Sequence, residues 1–210
     1  MFFSIKIVGH VLQRGDCPLV EPMADFEIDQ FVGQWYVIQK FQSYSDCVRE
    51  NFTMIQQNQY IVTRQFNVLG SPILTTVTGK IIFPKNESKS EMSIDYPLSA
   101  SGVVNIRQYT VLATDYDNYA LVWNCKPLVI RHRQSAQIMS RRPKLDPKIV
   151  DELRELLREF NINDHYLTNV SQSHCPSSVD TSDQSMTTND NTVNNNNIDD
   201  NNNSDISTDI

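Results

Sequence analysis

The chain has 210 residues and a formal net charge of −7, from 25 acidic and 18 basic side chains. Its hydrophobic fraction of 40% is enough to build a core, which excludes a wholly disordered protein. No apolar run approaches the roughly 20 residues that a membrane-spanning helix needs, so no transmembrane segment is predicted. The acidic balance argues against nucleic-acid binding, because that binding depends on neutralising phosphates.

The negative charge belongs to the C-terminal end of the chain. Residues 176–210 contain seven Asp and no Lys or Arg, so residues 1–175 carry 18 acidic and 18 basic side chains. This Asn-rich segment without aromatic residues cannot bury enough apolar surface to offset its chain entropy, and we predict that it is disordered. The alternative is an Asn-rich interaction tract. The predicted folded domain is then 17–175.

The cysteine pattern indicates an oxidising compartment. The four cysteines are Cys17, Cys47, Cys125 and Cys175. None forms a C-x-x-C pair, which argues against a zinc ribbon or a thioredoxin motif. Four widely spaced cysteines suit two disulfides, with three connectivities open, and disulfides are typical of secreted proteins. Three tripeptides in 1–175 fit the N-glycosylation pattern, at Asn51, Asn86 and Asn169.

Residues 1–16 are interpreted as a leader remnant or an N-terminal extension. Lys6 interrupts the short apolar start, and no small-residue cleavage site follows it. Either the native leader is missing from this sequence or the protein is not exported. The cysteine pattern favours the first reading, and with it a secreted protein.

A long central region is strand-like almost throughout. Runs rich in Val, Ile, Thr and aromatic residues alternate with turn signals. These runs are 34–41, 48–55, 59–68, 73–83, 89–95, 104–114, 118–125 and 129–140. Eight short strands joined by tight turns predict an all-β antiparallel up-and-down meander, which hides its edges best by closing into a barrel.

The hydrophobic period changes after the last strand. Residues 145–160 predict one α-helix, with Asp146 as N-cap and Pro147 at the first helical position. Its apolar stripe consists of Ile149, Val150, Leu153, Leu156, Leu157 and Phe160. We expect this helix to pack outside the barrel, and a short helical turn at 25–32 to precede the first strand.

Three short motifs carry a family resemblance. Gly33 and Trp35 open the first strand, Thr114-Asp115-Tyr116 end the sixth, and Arg141 follows the eighth. In this order and on these elements they resemble the three signature motifs of the lipocalins. The phrases around them are similar to the group that contains apolipoprotein D, Lazarillo and bilin-binding protein. The resemblance covers about residues 15–175 and implies an eight-stranded barrel that holds one small ligand.

The resemblance also implies roles for these residues. Gly33 turns the chain tightly into the strand. Trp35 plugs the closed end beneath Arg141, which lies across its indole, and Asp115 bonds backbone N–H groups in a nearby turn. None of these residues is expected to be catalytic. The implied disulfides are Cys17–Cys125 and Cys47–Cys175, which leave no free thiol.

Strand alternation and the resemblance together predict the residues that line the cavity. They are Phe52, Met54, Arg64, Phe66, Arg107, Tyr109, Asn124, Gln137 and Met139. Such a lining suits an amphipathic lipid. Arg64 or Arg107 could pair with a carboxylate, or both could extend to the rim. Several relatives carry Trp where Gln137 stands, which indicates a more polar or roomier cavity here.

The predicted function is non-covalent carriage of a fatty acid, a sterol-like lipid or a tetrapyrrole outside the cell, with no further cofactor and no metal. By resemblance, the roles are lipid metabolism and protection against oxidative stress, to which methionines would contribute by reducing hydroperoxides. A cell-surface receptor and a monomer or weak homodimer are the expected partner and assembly. One alternative is a protein-interaction lipocalin acting through rim loops or the tail. The other is an isomerase, which the paired cysteines and the absence of a catalytic motif disfavour, so we predict no enzyme.

Overall fold

The computed structural model describes residues 9–68, 73–85, 89–96 and 105–175. The tail predicted to be disordered (176–210), most of the predicted leader remnant and the predicted glycosylation site Asn86 lie outside the described residues.

The described residues form ten strands, two α-helices and a one-turn 3₁₀ helix at Asp164–Tyr166. The first half of the chain contains β1 (Val11–Arg14), α1 (Ile28–Phe31), β2 (Gly33–Phe41), β3 (Ser45–Gln56), β4 (Gln59–Val68) and β5 (Leu74–Ile82). The second half contains β6 (Glu91–Tyr96), β7 (Asn105–Thr114), β8 (Tyr119–Pro127), β9 (Arg131–Ser140), α2 (Pro147–Glu159) and β10 (Leu167–Asn169).

Strands β2 to β9 form a closed antiparallel barrel. Each pairs with its neighbour in sequence, and β2 closes the ring by pairing with β9, where Tyr36 lies opposite Ser140 and Lys40 opposite Gln137. This confirms the predicted eight-stranded meander. The closed end lies beside α1 and the start of β2, and the open end, or mouth, lies at the opposite ends of the strands.

Two short strands that the sequence did not predict flank the β2–β9 seam near the mouth. There β9 pairs with β1, which places Val11 opposite Gln134. The mouth end of β2 pairs with β10, which places Leu167 opposite Phe41. Residues 11–14, assigned from the sequence to the leader remnant or extension, are therefore a strand of this sheet.

Helix α2 covers the outer face of the barrel, as predicted. Asp146 caps it by accepting a 2.9 Å hydrogen bond from the Lys148 N–H, and Pro147 occupies its first turn. Leu153 and Leu157 are buried against an outer cluster that includes Ile138 of β9. No helix in the described ranges is long and apolar enough to cross a membrane.

Two disulfides tie the chain ends to the barrel. Cys17 bonds to Cys125 of β8, and Cys47 of β3 bonds to Cys175. All four cysteines are thus paired. Each bridge closes a loop of more than 100 residues, which strongly restricts the unfolded chain.

Candidate functional site

Arg141 closes the end of the barrel beside α1. Its guanidinium lies 3.8 Å from the centroid of the Trp35 ring. Its N–H groups donate to the carbonyls of Tyr116 at 2.8 Å, Gln30 at 3.0 Å and Gln34 at 3.3 Å. The side chain therefore joins α1, β2 and the β7–β8 turn in one contact set.

The β7–β8 turn is organised by Asp115. One carboxylate oxygen accepts from the N–H groups of Asp117, Asn118 and Tyr119 at 3.2, 2.8 and 3.0 Å. Partial burial opposes ionisation, but these bonds prevail and lower the pKa of Asp115. Thr114 supports the same turn by accepting from the Tyr116 N–H at 2.9 Å.

The lower half of the barrel interior is aromatic and apolar. The Phe31 ring stacks on Trp35 at 4.9 Å and meets Phe52 edge-on at 5.0 Å. The indole of Trp35 donates to the Phe31 carbonyl at 2.9 Å, so the buried N–H is satisfied. This layer forms the floor of the cavity.

A polar layer lies above the floor, with the carboxylate of Glu50 at its centre. Glu50 accepts hydrogen bonds from the Tyr109 hydroxyl at 2.9 Å and the Gln137 amide at 3.0 Å. It also forms a 3.5 Å ion pair with Arg64, whose side chain is 13% exposed. Burial, followed by the charge of Glu50, raises the pKa of Tyr109 well above its usual value, so this phenol donates rather than ionises.

Two further cations complete the polar layer. Lys40 is buried and donates to the Gln137 side-chain oxygen at 3.2 Å. Arg107 lies over the Tyr96 ring at 5.6 Å. Burial and the nearby charge of Arg64 lower the pKa of Arg107. Among the described residues that line the inner cavity, three are cationic and Glu50 is the acidic one.

The polar layer encloses an inner cavity that opens toward a larger one at the mouth. The inner cavity has a volume of about 20 Å³, which is room for a single water molecule. The mouth cavity has a volume of about 340 Å³. His10, Arg107, Gln108 and Asn124 line both cavities, so they stand between the mouth and the polar layer.

His10 and its neighbour Gly9 lie in the mouth. The neighbouring Gly9 N–H donates to the Gln42 carbonyl at 3.3 Å, and Gly9 adopts a φ of +77° beside the Lys40 side chain. Burial, followed by the charges of Arg133 and Arg107, lowers the pKa of His10 from 6.5 to about 3. The imidazole is therefore neutral at physiological pH.

The profile of the lipocalin / cytosolic fatty-acid binding protein family matches residues 32–174. The chain belongs to this family. The match spans the barrel, the outer helix and the seam strand β10, and it confirms the family predicted from the three motifs. Membership supports the binding of a small hydrophobic ligand.

This lipocalin is similar in sequence and structure to several named proteins. It is 25% identical to apolipoprotein D of Bos taurus over 81% of this chain and 90% of the relative. It is 26% identical to the Lazarillo protein of Schistocerca americana over 72% and 73% of the two chains. The solved structure of insecticyanin from Manduca sexta superposes with a TM-score of 0.68 at 22% identity, over 81% of this chain and 94% of the other. That likeness shows the shared fold.

Five of the nine predicted cavity residues line the inner cavity of this lipocalin. They are Arg64, Arg107, Tyr109, Asn124 and Gln137. Phe52 lies one layer lower, in the floor. Met139 is buried beside the polar layer, where its sulfur accepts from the Gln137 amide at 3.2 Å. Phe66 is partly buried against the interior core, with Arg64 5.8 Å above its ring.

The placement of Met54 in the cavity is wrong. Its side chain is 53% exposed. It shares the alternating face of Glu50 and Phe52, but β3 continues past the floor before it ends at Gln56. The inward face of the strand therefore leads out into solvent at Met54.

Two of the predicted glycosylation sites can be examined. Asn51 is exposed on β3, and Asn169 is exposed on β10, where its side-chain oxygen accepts from Gln39 at 2.9 Å. Both side chains are accessible to solvent, as glycosylation requires. Their glycosylation stays a prediction.

Sequence reasoning missed Lys40, Glu50, Tyr96 and His10. Glu50 lies two residues before Phe52 on the same strand face, so alternation alone could have identified it. Simple alternation places Lys40 on the outer face, because it does not include the register shift between Val37 and Gln39 in the pairing of β2 with β9. His10 comes from the opposite end of the chain, and no local pattern points to it.

Proposed function

We propose that this lipocalin binds and carries a small amphipathic ligand with an anionic head group, of the fatty-acid class, outside the cell. The observation that carries the proposal is the charge imbalance of the inner cavity, where the guanidinium groups of Arg64 and Arg107 face a single carboxylate, that of Glu50. A buried charge is costly unless it is paired, so this layer favours a bound anion.

The head group would enter first and the hydrocarbon chain would extend toward the mouth. Arg107 is the natural partner for a carboxylate, because it lines both cavities while Arg64 is already paired with Glu50. The inner cavity is small, so the head group must displace the His10 or Arg107 side chain. The mouth cavity of about 340 Å³ lies within the usual range for ligand pockets.

Carriage outside the cell is supported by the two disulfides, which persist in oxidising compartments. A part in lipid metabolism follows from a ligand of this class. For protection against oxidative stress, Met54 is the methionine to consider, because Met92 and Met139 are buried whereas Met54 is 53% exposed.

Competition binding tests the proposed ligand class. Oleate, oleyl alcohol, cholesterol and biliverdin would each be titrated against a bound fluorescent fatty acid. We expect oleate to compete at least about tenfold better than oleyl alcohol, since a charge-assisted pair contributes about 1.5–3 kcal/mol. The variant Arg107→Gln should lose this preference, whereas Arg142→Gln, which alters an exposed arginine at the closed end, should keep it. Equal affinity for oleate and oleyl alcohol would refute the anionic head group.

A second candidate function, binding of a protein partner at the rim, is favoured by the β8–β9 loop. Leu128, Val129 and Ile130 are exposed at the mouth, and Val129 is fully so. Basic residues flank this apolar tip at Lys126 and Arg131, which suits a partner with an apolar patch bordered by acidic residues. Val129→Asp should abolish binding to cells that bind the unmodified protein, and it should leave oleate affinity unchanged. Unchanged cell binding would remove this candidate.

A further inference from the structure

Lys40 reaches the barrel interior because of a β-bulge. Trp35 and Val37 of β2 are buried in the interior cluster, and strict alternation would turn residue 40 outward. The register with β9 shifts between Val37 and Gln39, which re-aims the following residues. Lys40 consequently lines the inner cavity and is only 8% exposed.

The amine of Lys40 is held without a direct bond to the nearby carboxylate. It donates to the Gln137 oxygen at 3.2 Å, and the Gln137 amide donates to Glu50 at 3.0 Å. The ion pair of Glu50 goes to Arg64 instead. The Lys40 nitrogen is therefore fixed by an uncharged acceptor, which stabilises a protonated amine less than a carboxylate would.

The surroundings of Lys40 also disfavour its charge. Burial lowers the pKa of Lys40 well below its usual range, and the charge of Arg64 lowers it further, while Glu50 acts in the opposite direction. The lowered pKa makes the unprotonated amine, with its free lone pair, easier to reach than in an exposed lysine. Buried lysines of this kind act as nucleophiles toward carbonyl groups.

We propose that Lys40 captures apolar aldehydes as an imine, so that the barrel holds this class of ligand covalently. This inference rests on the proposed function, because it requires a ligand that enters the same cavity with its polar end first. An aldehyde has no charge to pair with Arg107, but its carbonyl carbon would arrive at the layer that contains the Lys40 nitrogen.

The reaction needs no oxidant, reductant or cofactor. The Lys40 lone pair attacks the aldehyde carbon, and one nitrogen proton moves to the oxygen to form a carbinolamine. The nitrogen then gives its second proton to the same oxygen, the carbon–oxygen bond breaks, and the oxygen leaves as water while the carbon–nitrogen double bond forms. The Gln137 amide donates one N–H to Glu50, and its second N–H, which lies 3.2 Å from the Tyr109 oxygen, can turn to donate to the aldehyde oxygen as negative charge develops there.

Reductive trapping tests the proposal on the full chain. The protein would be incubated with dodecanal and sodium cyanoborohydride at neutral pH, and its mass and peptide map would be recorded. We expect one dodecyl group per chain, on Lys40. Lys40→Arg keeps the positive charge but cannot form the imine, so it should lose the adduct, whereas Lys80→Arg, which alters an exposed lysine of β5, should retain it.

A parallel measurement separates this proposal from the proposed function. Dodecanoate binding would be followed by displacement of a fluorescent fatty acid, and excess dodecanoate should block the labelling of Lys40 in the unmodified chain. Because this blocking experiment uses the unmodified chain, it still tests the proposal if Lys40→Arg fails to fold. Dodecanoate binding without a Lys40 adduct would overturn the covalent proposal alone, and the same holds for labelling spread equally over exposed lysines. Failure of both dodecanoate binding and labelling would overturn both proposals.

Discussion

The guanidinium of Arg141 covers the Trp35 ring at 3.8 Å and at the same time donates to three backbone carbonyls from α1, β2 and the β7–β8 turn. Gln30 of α1 and Gln34 of β2 are close in sequence, but Tyr116 and Arg141 are far from them along the chain, and the Arg141 side chain holds these segments together. Arg141 holds the closed end together, and the ligand-binding chemistry that we propose lies in a different layer, around Glu50.

Arg141→Ala should destabilise the fold by about 3 kcal/mol, because it removes a cation–π contact and leaves carbonyl groups with weaker partners. Arg141→Lys should recover part of the loss, since a lysine keeps the charge but not the planar fork. Urea unfolding followed by tryptophan fluorescence measures both effects. The exposed neighbour Arg142 provides the control, and a loss for Arg142→Ala as large as that for Arg141→Ala would contradict this account.

Phe66→Asp should weaken fatty-acid binding about tenfold or more. Phe66 packs against the interior core on the mouth side of Arg64, where the hydrocarbon chain is expected, and burying an aromatic ring contributes about 2 kcal/mol. The new carboxylate would also compete for Arg64. Isothermal titration with oleate gives the affinity, and Thr78→Asp on the exposed side of β5 is the matched control. Unchanged oleate affinity in Phe66→Asp would show that the chain takes another path.

Much of this architecture could be predicted from the sequence, because strands and helices each have a simple period of hydrophobic residues. Arg64 and Gln137 follow from alternation on β4 and β9, and α2 follows from its apolar stripe and the cap at Asp146. The motif residues come from the resemblance, and in the structure Arg141 lies over the Trp35 ring while Asp115 accepts from the Tyr119 N–H.

The placements that could not be predicted from the sequence depend on breaks in those periods, or on contacts between distant chain segments. A bulge reverses the facing of β2, so Lys40 looks like an outward residue. Met54 follows the alternation correctly but lies beyond the floor, and a pattern does not indicate where a barrel ends. His10 reaches the mouth through the pairing of β1 with β9, a contact between residues more than 100 positions apart.

Glu50→Gln should change stability and affinity in opposite directions. The carboxylate is the acceptor for Tyr109 and Gln137 and the ion-pair partner of Arg64, so its loss leaves a buried cation unpaired and should cost about 3 kcal/mol of folding stability. The same unpaired cation should bind oleate more tightly. Thermal unfolding and oleate titration on one preparation measure both quantities, and a fall in oleate affinity would contradict the proposed role of the charge imbalance.

Acidification should release Gly9 and His10 from the mouth. The folded-state pKa of His10 is about 3, against an ordinary value of 6.5, and the groups that face it are Arg133, Arg107, Lys40 and Arg64. Because the pKa is lowered on docking, the released imidazole binds a proton first as the pH falls. The neutral imidazole of His10 therefore makes its full contribution to the free energy of docking above pH 6.5. That contribution is lost progressively as the pH falls toward about 3.

Hydrogen exchange of the Gly9 amide, which donates to the Gln42 carbonyl, reports this release directly. Its protection, corrected for the intrinsic pH dependence of exchange, should decrease between pH 7 and pH 4. Oleyl alcohol, which has no group that titrates in this range, should associate faster over the same interval because His10 then leaves the passage to Arg107. His10→Asn removes the titrating group and should flatten both pH profiles, whereas the exposed His165 can be replaced by Asn as a control that leaves them intact. Protection of Gly9 that stays constant in the unmodified chain would show that protonation of His10 does not govern the mouth.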